Sequence, residues 1–261
     1  MTTSSASSSR SAKRVFELVS QPYGFELRLD DVQNRNAFRL STARELRGIL
    51  RKLKADARRE DRSTTLATTL VYRARGPVFC AGGHLHDYEK MGAAAGRKAN
   101  REITSVVDEL RQWGGLSLAI VEGDALGGGL EMMAAFDVVW SVPEAMFGFW
   151  QRRVGLSFGW GGERRLRDRL STARLRQEIL AARTLTAEAA LEIGLIDAII
   201  PRAQLESEIR DFVARQRGLS SSTAQASKAI LEAKSAAAAR RIFDKLWWSE
   251  EHRVRLKAFT R

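Results

Sequence analysis

Gly127, Gly128 and Gly129 stand in a row where an apolar β-branched run gives way to an apolar helical one. The stretch reads IVEGDALGGGLEMMAAFD, and an acid, Glu131, lies just inside the helical part. Glycine costs roughly 0.5–1 kcal/mol relative to alanine inside a helix or strand, and an isolated carboxylate is seldom buried without a partner. A chain that accepts both penalties at one strand-to-helix junction has a use for bare main-chain N–H groups there. A second junction is built in the same way: FCAGGHL ends an earlier strand and continues through Ala81, Gly82 and Gly83 into His84. Parallel neighbouring strands set two such loops side by side at their carboxyl ends, where open α/β sheets place ligands. Two N–H donors converging there make an oxyanion hole. The second loop also opens a helix, whose positive end favours negative charge. One glycine cluster alone would be read as a tight turn; two clusters and an acid point to a site. Neither loop has the spacing of a dinucleotide fingerprint or a P-loop.

The rest of the chain alternates strand and helix signals. VFELVSQPYGFELRLDD predicts two short strands about a Pro-Tyr-Gly turn. Leu40, Ala43, Leu46, Leu50 and Leu53 recur at helical spacing. TLATTLVYRA and LSLAIVEG read as interior strands, and Ile103, Val106, Val107 and Leu110 mark a helix between them. DVVWSV and AMFGF predict short strands, GWGGERRLRDRL a glycine bend entering a helix, and TLTAEAALEIGLIDAII a capped helix, a Gly194 stop and a strand. Beyond Pro201 nearly everything reads helical. Strands separated by helices imply α/β layering. The expected division is a disordered Ser-rich tail over 1–14, an α/β core over 15–200 and a helical region over 201–261. Adjacent Trp247 and Trp248 in the last region favour a subunit contact.

Composition narrows the classes. A single cysteine, Cys80, among 261 residues excludes an internal disulfide framework. Three histidines without a third ligand at a recognisable spacing predict no metal site. No run is apolar enough to span a membrane, and the opening MTTSSASSSRSAKR lacks the apolar stretch of a secretory signal, so a cytoplasmic location is expected. The net charge of +12 suits a polyphosphate ligand or a nucleic acid. The arginines are scattered among acids, and no recognition motif accompanies them, so nucleic acid is not the expected partner.

Three segments in order resemble the enoyl-CoA hydratase/isomerase (crotonase) superfamily. FCAGGHLHDYEKMG is similar to that family's F-S-A-G-A-D-L-K-E-M, and VEGDALGGGLEMMAAFDVVW to its N-G-x-A-x-G-G-G-x-E-L-A-x-x-C-D. LTAEAALEIGLIDAIIP resembles A-x-x-x-G-L-V-x-x-V-x-P. The resemblance implies a crotonase-like (ClpP/crotonase) spiral of ββα units with a C-terminal helical region. It implies an acyl-CoA thioester as substrate, no permanently bound cofactor, and a homotrimer or homohexamer. Carried over by position, the oxyanion donors are the N–H groups of Gly83 and Gly128, and Glu131 matches the first of two catalytic acids. Alanine is common in the family at the position of Gly83, and the backbone supplies the bond with either residue. His84 replaces a common aspartate. The coenzyme A side is expected at Arg35, Ala81, Gly82, His84 and Leu126, with Lys257 from the terminal helices; Arg39 and Lys245 are further candidates.

The departure from the pattern lies in FGFWQRRVGLSFGWGG, similar to F-G-Q-P-E-x-x-x-G-x-x-P-G-x-G-G. The second acid becomes Gln151, the preceding proline Trp150 and the preceding glutamine Phe149. Glutamine cannot exchange a proton as a carboxylate does, so hydration by two acids loses half its apparatus. Arg152 and Arg153 follow and could meet an anionic acyl group. The expected reaction is isomerisation or weak hydration through Glu131 alone. The alternatives are decarboxylation of a methylmalonyl- or ethylmalonyl-type thioester, or a non-catalytic RNA- or protein-binding role.

Overall fold

The computed structural model describes residues 14–21, 24–59, 69–216 and 219–259. The serine-rich opening up to residue 13, the Pro22-Tyr23 part of the first turn and the first four residues of TLATTLVYRA lie outside them. Strand β1 (Phe16–Gln21) pairs antiparallel with β2 (Gly24–Leu29), as the flanking alternation predicts. Helix α1 (Leu40–Arg59) buries Leu46, Leu50 and Leu53 along one face, the stripe that helical spacing puts against a core. Strand β3 (Thr69–Ala74) then pairs parallel with β2.

From here a three-part unit recurs. One strand enters a large sheet, the next turns into a small sheet, and a helix returns the chain. The first unit is β3, then β4 (Val78–Cys80), with helices α2 (Leu85–Lys90) and α3 (Ala93–Arg111). The second is β5 (Ser117–Val121), β6 (Asp124–Leu126) and α4 (Gly128–Met133); the third is β7 (Val138–Ser141), β8 (Phe147–Gly148) and the helices α5 (Gly162–Arg167) and α6 (Thr172–Ala181). Strand β9 (Thr184–Leu185), helix α7 (Ala187–Glu192) and strand β10 (Ala198–Ile199) complete the sheets. The large sheet has the order β1-β2-β3-β5-β7-β10 and the small one β4-β6-β8-β9. Both glycine loops therefore leave the small sheet, after β4 and β6, and not the long interior strands to which the sequence assigns them. The short strands are three residues each, too brief for a periodicity signal.

The core lies between the large sheet and its helices. Every residue of β5 is buried, as are Ile103, Val106, Val107 and Leu110 of α3. Helix α8 (Leu205–Ala214) buries Leu205, Ile209 and Val213 against this core. Beyond it α9 (Ser221–Leu231), α10 (Ala236–Trp247) and α11 (Glu250–Phe259) form a helical layer in which α10 has no buried residue. Phe243, Trp247 and Trp248 are exposed there, Trp248 by 77%. Among the described residues no helix is long and apolar enough to cross a membrane.

Candidate active site

Strands β4 and β6 are parallel neighbours, so the loops that follow them emerge side by side. The contact between them is close. A methyl group added to Gly82 would lie 3.0 Å from the Gly128 nitrogen, and one on Gly129 would lie 2.1 Å from the Cys80 carbonyl oxygen. Backbone this near to backbone admits only glycine. The first loop is held from the other side by residues 35–38. Ala81 N–H donates to the Arg35 carbonyl (3.2 Å), Phe38 N–H to that of Gly82 (2.8 Å), and His84 N–H to that of Phe38 (3.1 Å). Leu126 ends β6 beside Gly148, and Gly127 N–H donates to the Gly148 carbonyl at 2.8 Å. Among the described residues neither Gly83 N–H nor Gly128 N–H donates a hydrogen bond.

Glu131 lies in the first turn of α4 and is 2% exposed. Its Oε2 accepts from Trp160 N–H (2.8 Å) and Gly162 N–H (3.0 Å); its Oε1 accepts from Gly159 N–H (3.2 Å) and from the Gln151 amide (3.3 Å). The loop 159–162, entering α5, is thus wrapped about this one carboxylate. Burial pushes the Glu131 carboxyl above its ordinary range, and the main-chain and Gln151 hydrogen bonds oppose that only in part. Gln151 is itself buried, and its Oε1 has no hydrogen-bond partner among the described residues. An orphaned acceptor beside a carboxylate is a place for a donor to bind.

The other sequence candidates divide. Arg35 is exposed, on the segment that zips along the first glycine loop. His84 shapes that loop: it caps α2, its Nε2 lies 2.6 Å from the Arg39 guanidinium, and its Nδ1 lies 2.9 Å from Asp87. Arg39, also bonded to Asn34 at 3.1 Å, is engaged in this cluster. Arg152 and Arg153 are exposed and donate to the carbonyls of Leu180 and Ala182 near the end of α6. The residues after Gln151 therefore brace a neighbouring helix. Lys245 and Lys257 are exposed on α10 and α11, in the terminal layer and not in the loop cluster.

Three residues of the neighbourhood escaped the sequence reading. Arg165 is 1% exposed and joins three parts of the site, donating to the carbonyls of Glu131 (3.1 Å) and Trp160 (2.6 Å) and to the Asp108 carboxylate (2.9 Å). In ERRLRDRL it looks like any other arginine on an exposed face. Trp160, the ring within the glycine bend, is buried and packs on Phe38 with ring centroids 5.9 Å apart. Tyr88 donates to Asn100 at 3.1 Å and lies against Gly83. A large ring between glycines was the available signal for Trp160; nothing in the sequence singles out Tyr88.

The model of the enoyl-CoA hydratase/isomerase family matches residues 25–245. The enoyl-CoA isomerase/hydratase fer4 of Mycosarcoma maydis is 29% identical over 178 residues, covering 68% of this chain and 65% of that protein. Mouse methylglutaconyl-CoA hydratase is 29% identical over 137 residues, 52% of this chain and 44% of that protein. The chain thus spans between two fifths and two thirds of the length of these relatives. Among solved structures, Pseudomonas aeruginosa AtuE superposes with a TM-score of 0.83 at 25% identity, covering 95% of this chain and 97% of that one. An enoyl-CoA hydratase from Bacillus anthracis superposes with a TM-score of 0.82 at 20% identity, over 95% and 96%. The fold is therefore the crotonase fold, with its repeating ββα units and terminal helices. Because the family match runs over most of its length, the chain belongs to the enoyl-CoA hydratase/isomerase family.

Proposed function

We propose that the protein acts on an acyl-CoA thioester by way of an enolate, with Glu131 as its single acid/base, and that double-bond isomerisation is the reaction it favours. In this reading the thioester oxygen is received by the N–H groups of Gly83 and Gly128, which have no acceptor among the described residues and stand on abutting loops. Glu131, one helical turn from Gly128, removes a proton from one carbon and returns it to another. The observation that carries the proposal is the pairing of a buried carboxylate with a glutamine. Gln151 occupies the place of a second acid and donates to Glu131 at 3.3 Å, so one group must both accept and deliver the proton. Burial raises the carboxyl toward the range where it can do both.

The coenzyme A moiety is assigned to the outer side of the first loop, near Arg35, Ala81, Gly82 and His84, with Leu126 beneath the thioester. Lys257 is proposed to reach a phosphate from the terminal helices of a neighbouring subunit. The exposed Phe243, Trp247 and Trp248 support a homotrimer or homohexamer. One observation favours hydration as a second reading: the orphaned Gln151 Oε1 can hold a water against Glu131.

The test compares the natural protein with Glu131→Gln on enoyl-CoA substrates whose double bond can migrate, together with calorimetric binding of acetoacetyl-CoA. Isomerisation that falls by about a hundredfold or more in the variant, with binding retained, supports the assignment. Unchanged turnover overturns the role of Glu131. Salt-sensitive binding of unrelated RNAs with no affinity for the thioester overturns the whole reading.

A further inference from the structure

Two aromatic side chains converge on the two glycines that the thioester reading makes oxyanion donors. A methyl group on Gly83 would lie 2.5–2.6 Å from Cε2, Cζ and the hydroxyl of Tyr88; one on Gly128 would lie 2.7–2.9 Å from Cε3, Cζ3 and Cη2 of Trp160. The rings thus rest directly on bare glycine backbone. Each is also tied to its surroundings. The Tyr88 hydroxyl donates to Asn100 at 3.1 Å. Trp160 is packed on Phe38, and its main-chain N–H and carbonyl are held by Glu131 and Arg165. An open cleft of about 510 Å³ runs along α3 and is lined in part by Asn100, Thr104, Asp108 and Gly159. Through Asn100 and Gly159 the ring pair bridges the glycine loops and this cleft.

We propose that Tyr88 and Trp160 are the specificity-determining pair of this site, closing the space beyond the thioester so that only short acyl groups are accepted. The inference rests on the thioester reading and names its substrate class. An acyl chain that begins at the carbonyl bound by Gly83 and Gly128 starts beside both rings, because each ring lies within a methyl group's reach of one of those glycines. The indole is buried and packed on Phe38, which leaves it little room to tip aside. In a hydrophobic pocket a single misfitting methylene changes kcat/KM by roughly 10–200-fold, so a ring of this size sets a sharp limit.

The experiment measures isomerisation kcat/KM for the 3-enoyl thioesters of four, six, eight and ten carbons with the natural protein, Trp160→Ala and Tyr88→Met. The natural protein is expected to prefer the four-carbon thioester and to lose activity steeply with length. Trp160→Ala should raise the eight-carbon to four-carbon ratio by about tenfold or more, and Tyr88→Met should raise it in the same direction. If Trp160→Ala loses its native circular dichroism, Tyr88→Met, altered at a half-buried ring, carries the comparison. Natural protein that turns over the eight-carbon thioester as well as the four-carbon one, or a folded variant with an unchanged ratio, overturns the proposal while leaving the thioester reading intact. Natural protein that neither binds nor converts any of the four overturns both.

Discussion

Replacing Gln151 with glutamate returns a second carboxylate to the site, and its effect can be worked from one contact. The Gln151 amide nitrogen lies 3.3 Å from Glu131 Oε1, and both residues are buried. Two negative charges at that separation repel by about 5 kcal/mol when the effective dielectric constant is about 20. The folded pair avoids this by keeping one proton between two acids, well above the ordinary carboxylate range. The unfolded chain pays no such penalty, so the folded state binds protons more tightly. The variant is therefore as stable as the natural protein at acid pH and loses stability as pH rises through the raised titration. At about 2–4 °C per kcal/mol for a chain of this size, the Tm difference should widen by about 10–20 °C in the alkaline limit. Thermal unfolding followed by circular dichroism across the pH range measures it. The retained proton is also what a single-acid site lacks, and hydration of crotonyl-CoA should rise in the variant. Parallel Tm curves for the two proteins would refute the reasoning, because they would mean that residue 151 does not face Glu131.

Three further outcomes follow from the same geometry. Because burial raises the Glu131 carboxyl, the acid limb of the kcat/KM profile should lie above the ordinary carboxylate range. The stability contributed by this group should be complete at acid pH and fall as pH rises through the raised value; both are read from pH profiles compared with Glu131→Gln. Gly83→Ala should destabilise the protein by about 1–3 kcal/mol through crowding of Tyr88, and Gly83→Ala with Tyr88→Met should recover most of that loss in a denaturant double-mutant cycle. Burial pushes the Cys80 thiol up to about 12, so a disulfide reagent at neutral pH should leave it unmodified in the native protein and titrate it on unfolding.

Much of the architecture is legible because long elements carry long signals. Helical spacing at Leu46, Leu50 and Leu53, and at Ile103, Val106 and Val107, marks faces that the structure buries. The small sheet is not legible, since β4, β6 and β8 are two or three residues long and take their pairing from register with one another. At the site, Glu131 and the glycines announce themselves as costly choices that need a reason. The wrapping of loop 159–162 about Glu131 and the joining role of Arg165 could not be read in the same way, because each depends on contacts between residues about thirty or more positions apart. Gly83 shows the limit of reasoning by position. An alanine there keeps the main-chain donor, yet the structure has spent the missing methyl on a tyrosine ring.

That last contact orders the mutational paths open to the chain. Residue 83 gains a side chain at a cost unless residue 88 has first surrendered its ring, and residue 128 stands in the same relation to residue 160. Each step is unfavourable in one sequence of events and tolerated in the other, so descendants of this protein would be expected to change these positions in pairs, ring first.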